Sequence, residues 1–289
     1  MGGLDPKQLA LKANDIRTDI VQMISTAGSG HPGGSLSAAD IMTALYFGGV
    51  LEYDPAHPDD PGRDRFILAK GHAAPALYAT LAHAGFIARE ELATLRKPGS
   101  KLQGHPDSNL CPGVEVSTGS LGQGLSVAAG VAAGLRLDGA PGVVFTLLGD
   151  GECEEGQVWE AAMFAAHQRL GKLVVIVDEN GLQIDGCTAE VCDPGDLAQK
   201  FAAFGWDVVT VEGHDLAALV QTLGEAKERA VASEGTASPR VIIARTVKGK
   251  GVSFMEGQAG WHGKAPDAEQ AAAALAELED QRKSIEEAN

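Results

Sequence analysis

Val143-Val144-Phe145-Thr146-Leu147-Leu148-Gly149-Asp150-Gly151 is the stretch that decides the fold. Its first six residues are apolar apart from one threonine, too few for a buried helix, and they stop at two glycines flanking a carboxylate. The pattern predicts a strand over Val143–Leu148 with both faces covered, since a half-exposed strand would alternate polar and apolar residues. Runs of the same kind lie on either side, at Phe66–Ala69, Leu173–Val177, Val208–Val211 and Val241–Ala244. Between them stand Ala-rich helical stretches at about Ala73–Ala84, Leu121–Leu135, Val158–Leu170 and Leu216–Ala232, each long enough to carry a parallel crossover. Near the N-terminus Leu11, Ile16, Ile20, Val21 and Ile24 recur at helical spacing. That pattern ends at Gly28-Ser29-Gly30-His31-Pro32-Gly33-Gly34, read as a rigid turn presenting His31. A last, acidic helix is expected from about Asp267 to Glu287, mostly solvated, with Ala272, Leu275, Leu278 and Ile285 as its apolar edge. The fold class is therefore α/β, a doubly wound parallel sheet with helices on both faces. It forms one domain over residues 1–289, with a helical extension from about residue 264.

Charge narrows the functional classes. Lys+Arg number 23 against 39 Asp+Glu, a net charge of −16 that repels nucleic-acid backbones and anionic lipid, so neither is expected as a partner. No run approaches the roughly 18 apolar residues of a membrane span, and Met1 to Asn14 lacks a basic region followed by an apolar core. Cys111, Cys153, Cys187 and Cys192 contain no C-x-x-C pair, which argues against a disulfide framework or a zinc knuckle and suits a reducing compartment. A cytoplasmic protein is the expectation.

Gly28-x-Gly30-x-x-Gly33 matches the dinucleotide fingerprint only in letters. It follows a helix instead of a strand, and Pro32 removes a backbone N–H that a pyrophosphate turn would need. Gly149-Asp150-Gly151 carries more, because ligands of doubly wound sheets bind at the carboxyl ends of strands and a carboxylate there can meet a cation. The next strand runs into Asp178-Glu179-Asn180-Gly181-Leu182, which places Asn180 30 residues after Asp150, about one crossover away. A carboxylate, an amide oxygen and a nearby backbone carbonyl would then converge on one hard divalent ion. Polar βα turns occur in every such sheet, so the combination is informative where Gly-Asp-Gly alone is not. Four histidines also adjoin glycine in turns: Gly30-His31-Pro32, Lys70-Gly71-His72-Ala73, Gly104-His105-Pro106 and Trp261-His262-Gly263. No two stand at a local ligand spacing, and they read as polar groups gathered around a polyhydroxylated or anionic substrate.

Together these segments, with Thr118-Gly119-Ser120-Leu121-Gly122-Gln123-Gly124 and Lys248-Gly249-Lys250-Gly251, closely resemble the N-terminal, diphosphate-binding part of transketolase, a thiamine diphosphate enzyme. The resemblance runs in the family's order from about residue 29 to residue 263. It implies that Asp150, Asn180 and the carbonyl of Leu182 hold Mg²⁺ (or Ca²⁺), which clamps the cofactor's diphosphate against an acidic protein. It also implies that Lys70, His72, Gly119, Leu121, Gly149, Gly151 and Lys248 border the cofactor. His31, His105 and His262 would surround the sugar and move protons, since a histidine can accept when neutral and donate when cationic near pH 7. Glu155 matches a carboxylate at the family's subunit boundary, although a Glu at a helix start is also favoured by the macrodipole alone.

One departure stands out. A full transketolase continues into a pyrimidine-binding domain that supplies a glutamate to the cofactor ring, and into a third domain, whereas here the sequence stops soon after His262. The arginines that hold the sugar phosphate in the full-length enzymes are also missing. By the resemblance this is the N-terminal subunit of a split transketolase, completed in a heterotetramer (two of each) by a C-terminal partner subunit. It would pass a two-carbon ketol unit from a ketose phosphate to an aldose. The alternatives are another thiamine diphosphate assembly, such as a deoxyxylulose phosphate synthase, the E1 part of a 2-oxoacid dehydrogenase or a specialised two-carbon transfer, and a scaffold subunit that binds no cofactor. The Trp261-His262-Gly263 and Lys70-Gly71-His72-Ala73 turns favour transketolase, and intact Asp150 and Asn180 argue against a scaffold.

Overall fold

A computed structural model describes residues 2–288. The chain runs through α1 (Pro6–Ala27), α2 (Pro32–Phe47), β1 (Arg65–Leu68), α3 (Ala74–Ala84), α4 (Gln123–Leu137), β2 (Val144–Gly149) and α5 (Gly156–His167). It continues through β3 (Leu173–Glu179), the single turn α6 (Thr188–Val191), α7 (Leu197–Ala203), β4 (Asp207–Glu212), α8 (Leu216–Ala232), β5 (Arg240–Arg245) and α9 (Ala268–Glu287). All strands pair in parallel in the order β1-β2-β3-β5-β4, so every carboxyl end opens on the same edge of the sheet.

Alternation along the strands builds two cores. Phe66, Leu68, Phe145, Leu147, Val174, Ile176, Ile242 and Ala244 pack on one face with α1, α2, α3 and α8. Ile67, Val144, Leu148, Val175, Val177, Val241 and Ile243 pack on the other with α4, α5 and α7. Covering both faces is what lets β2, β3 and β5 be so apolar, while the edge strand β4 is half-exposed.

The expected turn at Gly28–Gly34 is shorter than the sequence suggests. Gly28 caps α1 in the left-handed conformation (φ 62°), and Pro32 already opens α2 at its first position, so Gly33 and Gly34 are helical. From Pro32 to Tyr46 every residue of α2 is buried. A helix with no polar face shows no amphipathic period, so periodicity misses it. Leu121, expected to open a helix, lies instead in the loop before α4. The last helix is less solvated than its composition implies: Ala271, Ala274 and Leu278 are buried, and Asn14 Nδ2 of α1 donates to the Leu278 carbonyl at 3.1 Å. Ala272, expected on the apolar edge, faces solvent.

A buried polar network steers the loop after β5. Arg17 grips Asp40 through both carboxylate oxygens (3.0 and 2.5 Å) and donates from Nε to the Lys250 carbonyl. His214 Nδ1 meets Asp40 at 2.7 Å, while its Nε2 accepts from the Val247 amide at 2.8 Å. The accepting Nε2 puts the proton on Nδ1, and residues on both sides of Lys248 are thereby tied to α1 and α2.

Candidate active site

The carboxyl ends of β1, β2, β3 and β5 open into one cleft of about 380 Å³. Its walls contain every residue singled out from the sequence: Asp150, Asn180, Leu182, Gly149, Gly151, Gly119, Leu121, Lys70, His72, Lys248, His31, His105, His262 and Glu155. Gly34, Glu152, Glu154, Gln183, Ile184 and Asp185 complete it.

One wall is built from the ends of β2 and β3. Asp150 is 3% exposed; its Oδ1 accepts from the Gly151 amide (2.8 Å) and its Oδ2 from the amides of Asn180 (2.9 Å) and Gly181 (2.5 Å). Burial, then the neighbouring Asp178, push its carboxyl up to about 6 despite these amides and Lys70. Asn180 Oδ1 accepts from the Leu182 amide at 3.2 Å. Carboxylate, amide and carbonyl oxygens are hard donors, the set that suits Mg²⁺ or Ca²⁺, and a buried carboxylate of raised pKa gains most from a cation beside it. The donors present thus fit a divalent ion holding a diphosphate, for which the Leu182 carbonyl would exchange the Lys248 Nζ it accepts from for the ion.

Beneath this wall lies a buried ion pair. Lys70 Nζ sits 2.5 Å from Asp178 Oδ2, with both side chains at most 2% exposed. Ser37 donates to the same carboxylate at 2.6 Å and Thr246 also bonds to it. Burial alone would raise the Asp178 carboxyl, but Lys70 and the two hydroxyls hold it below the usual range. Gly34 lets this cation stand close to α2: a Cβ there would come within 3.0 Å of His72 Nε2 and 3.3 Å of Lys70 Nζ.

Glu152 is a residue that sequence patterns do not single out. Only 2% exposed, it accepts from the Gly122 amide (3.0 Å) with one oxygen and from the Gly149 amide (3.2 Å) with the other. It therefore staples the loop carrying Gly119 and Leu121 to the loop carrying Asp150. Burial lifts its carboxyl to about 7. The one signal in the sequence is a glutamate inside a cofactor-type turn, where a solvent-facing role is the commoner one.

The opposite wall is histidine. Ring centroids lie 5.5 Å apart for His31–His72 and His31–His262, 6.1 Å for His31–His105 and 4.9 Å for His72–His262. Gly119, at φ 143°, admits His105: a Cβ there would come within 2.9 Å of the ring. Burial first, and Arg96 and other cations second, bring His31 down to about 4; burial and then Lys248 bring His262 to about 3. These two rings are neutral at pH 7, which corrects the expectation of ready cationic donors there: desolvation beside fixed cations disfavours a further positive charge. Lys248, 3% exposed and brought to about 8 by burial, joins the walls, since Nζ donates to the Leu182 carbonyl (2.9 Å) and meets His262 Nδ1 at 3.0 Å. Donation by Lys248 places the His262 proton on Nε2. Glu155 stands exposed at the mouth as the N-cap of α5 without a capping bond.

Residues 9–282 match the family profile described as transketolase, thiamine diphosphate binding domain. The chain belongs to the transketolase family. It is 44% identical, over 93% of its length and 95% of the relative's, to a 6-deoxy-6-sulfo-D-fructose transketolase subunit of a Clostridium species. It is 41% identical to an apulose-4-phosphate transketolase subunit of Phocaeicola vulgatus, over 97% of each chain. The crystal structure of transketolase from Campylobacter jejuni superposes with a TM-score of 0.84 at 29% identity, over 98% of this chain. This chain spans 46% of that one. The architecture is the transketolase family's α/β fold, and among the described residues no helix is long and apolar enough to cross a membrane.

Proposed function

We propose that this transketolase-family chain, as one diphosphate-binding domain, holds thiamine diphosphate through Mg²⁺ on Asp150, Asn180 and the Leu182 carbonyl. Together with a partner subunit carrying the pyrimidine-binding domain, it transfers a two-carbon ketol unit from a ketose phosphate to an aldose. The observation that carries this reading is the meeting, in one cleft, of Asp150, Asn180 and Leu182 with His31, His72, His105 and His262, joined by Lys248. The partner is supported by the relatives of matching length, which are named as subunits.

When bound, thiamine diphosphate supplies the electron sink for breaking and making the C–C bond. The chain's own residues bind and orient. Gly119, Leu121, Gly149 and Gly151 bring backbone close to the diphosphate, and Lys70, His72 and Lys248 border it. His31, being neutral, can accept a hydrogen bond from a sugar hydroxyl, while His262, whose Nδ1 is held by Lys248, presents its Nε2–H as a donor. His105 contacts the sugar nearer the rim, and Glu155 lies where a partner would close the mouth. Calorimetric titration of thiamine diphosphate into the chain tests the cofactor assignment: binding is expected with Mg²⁺ and lost with a chelator. Equal affinity with and without metal would refute the cation clamp.

A further inference from the structure

Lys248 joins the two walls of the cleft, and the backbone that carries it is fixed from behind the cleft. In the loop after β5, the Thr246 amide donates to the Glu179 carbonyl (2.9 Å), the Gly249 amide to the Gly33 carbonyl (3.0 Å) and the Gly257 amide to the Lys248 carbonyl (2.9 Å). On either side of Lys248, by contrast, a side chain takes the main-chain group. The Val247 amide donates to His214 Nε2 at 2.8 Å, and the Lys250 carbonyl accepts from Arg17 Nε at 3.1 Å. Both side chains end on one carboxylate, Asp40: His214 through Nδ1 at 2.7 Å and Arg17 through both terminal nitrogens. Asp40 is 5% exposed; burial would raise its carboxyl, but Arg17 and His214 hold it below the usual range, so it remains an acceptor. These three residues line a separate cavity of about 210 Å³ and none of them lines the cleft. Two glycines let the parts close up. A Cβ on Gly213 would come within 2.4 Å of Thr246 Cγ2, and one on Gly33 within 3.1 Å of Lys248 Cγ. Asp40 stands about two turns after Gly33 on α2, so the helix against which the lysine stem leans also anchors the imidazole.

We propose that His214, backed by Asp40, is a positioning residue: by holding the Val247 amide it sets where the Lys248 ammonium stands between the Leu182 carbonyl and His262. The proposal rests on the reading of Lys248 as a group that borders thiamine diphosphate. An imidazole suits the task because it offers a donor and an acceptor on opposite sides of one rigid ring. With Nδ1–H given to Asp40, Nε2 can only accept, and the Val247 N–H is what it accepts from. Lysine carries its charge on a flexible four-carbon stem, so the ammonium is placed only as well as the backbone beneath it. Its Nζ meets its two partners at 2.9 and 3.0 Å. A shift of the loop by about 1 Å would break both contacts.

The test measures thiamine diphosphate affinity of the full chain with Mg²⁺, by calorimetry, in a double-mutant cycle with Lys248→Met. Asparagine and glutamine divide the imidazole between them. Asparagine keeps an amide near the place of Nδ1, able to donate to Asp40, whereas glutamine reaches the place of Nε2 and can accept from the Val247 amide. His214→Asn is expected to weaken binding about tenfold, the range for leaving a buried N–H without its acceptor, and His214→Gln to recover most of that loss. In the Lys248→Met background, His214→Asn should change affinity by less than about twofold. Melting temperatures are recorded alongside. Each variant gives up one bond of the network, so a merely structural role lowers stability and affinity together in both, while the proposal expects affinity to separate them. His214→Ser, which loses the same acceptor, replaces the asparagine variant if that does not fold. Equal losses of affinity for asparagine and glutamine, unchanged affinity in His214→Asn, or the same loss with and without Lys248 would overturn the proposal. A wild-type chain that binds no thiamine diphosphate with Mg²⁺ would overturn the cofactor reading and the proposal with it, whereas binding with an additive cycle overturns the proposal alone.

Discussion

The two walls of the cleft, one of carboxylates and amides and the other of histidines, behave differently. On the β2–β3 wall the three buried carboxylates are satisfied by the chain itself: Asp150 by three amides, Asp178 by Lys70 and two hydroxyls, Glu152 by two amides, although Thr146 Oγ1 and Glu154 Oε1 on that side are buried without partners. On the histidine wall His31 Nδ1 is buried without a partner. A satisfied wall is a rigid cradle for a group that stays, and a wall with spare capacity suits ligands that come and go. Substitutions should therefore divide cleanly between cofactor affinity and turnover.

Asp150→Ala should give the largest effect, abolishing metal-dependent thiamine diphosphate binding by calorimetry, because it removes a charged oxygen ligand and leaves the diphosphate facing an acidic protein. Asn180→Ala should weaken it less. The same wall carries a pH signature. In the metal-free protein Asp150 is protonated below about 6, so the cation must displace a proton there, and cofactor affinity should fall as pH drops from 7 toward 5. Proton release, measured in buffers of different ionisation enthalpy, should appear below that pH and vanish well above it.

His262→Ala in the assembled enzyme should leave cofactor affinity nearly intact and lower kcat by about 10²–10⁴ if His262 moves protons. Positioning alone would raise KM and preserve kcat. A loss confined to cofactor affinity would erase the distinction between the walls, and unchanged kinetics would leave His262 a packing neighbour of Lys248 with no part in turnover.

The smallest effect should come from Glu152→Gln. The amide keeps one acceptor but turns an N–H toward an amide donor, a change worth roughly 1–3 kcal/mol. Cofactor affinity should fall about tenfold, with KM for the sugar unchanged. Unchanged cofactor affinity would show that the two loops keep their geometry without the staple.

The satisfied wall was also the more legible in sequence. Short apolar runs marked all five strands, and the glycines after them marked the turns; β2, β3 and β5 are buried on both faces and admit little besides apolar residues, whereas the edge strand β4 is half-exposed. Asp150 and Asn180 stood out as polar residues at strand ends. Asp178 and Glu152 did not, since their partners are a lysine 108 residues away and amides of separate loops. α2 was invisible for lack of a polar face.

Ketol transfer from xylulose 5-phosphate to ribose 5-phosphate, assayed with the chain alone, the partner alone and the two mixed with thiamine diphosphate and Mg²⁺, tests the account most directly. Activity is expected only in the mixture, rising with added partner until the two are matched. Sustained turnover by the purified chain with no other polypeptide present would contradict it.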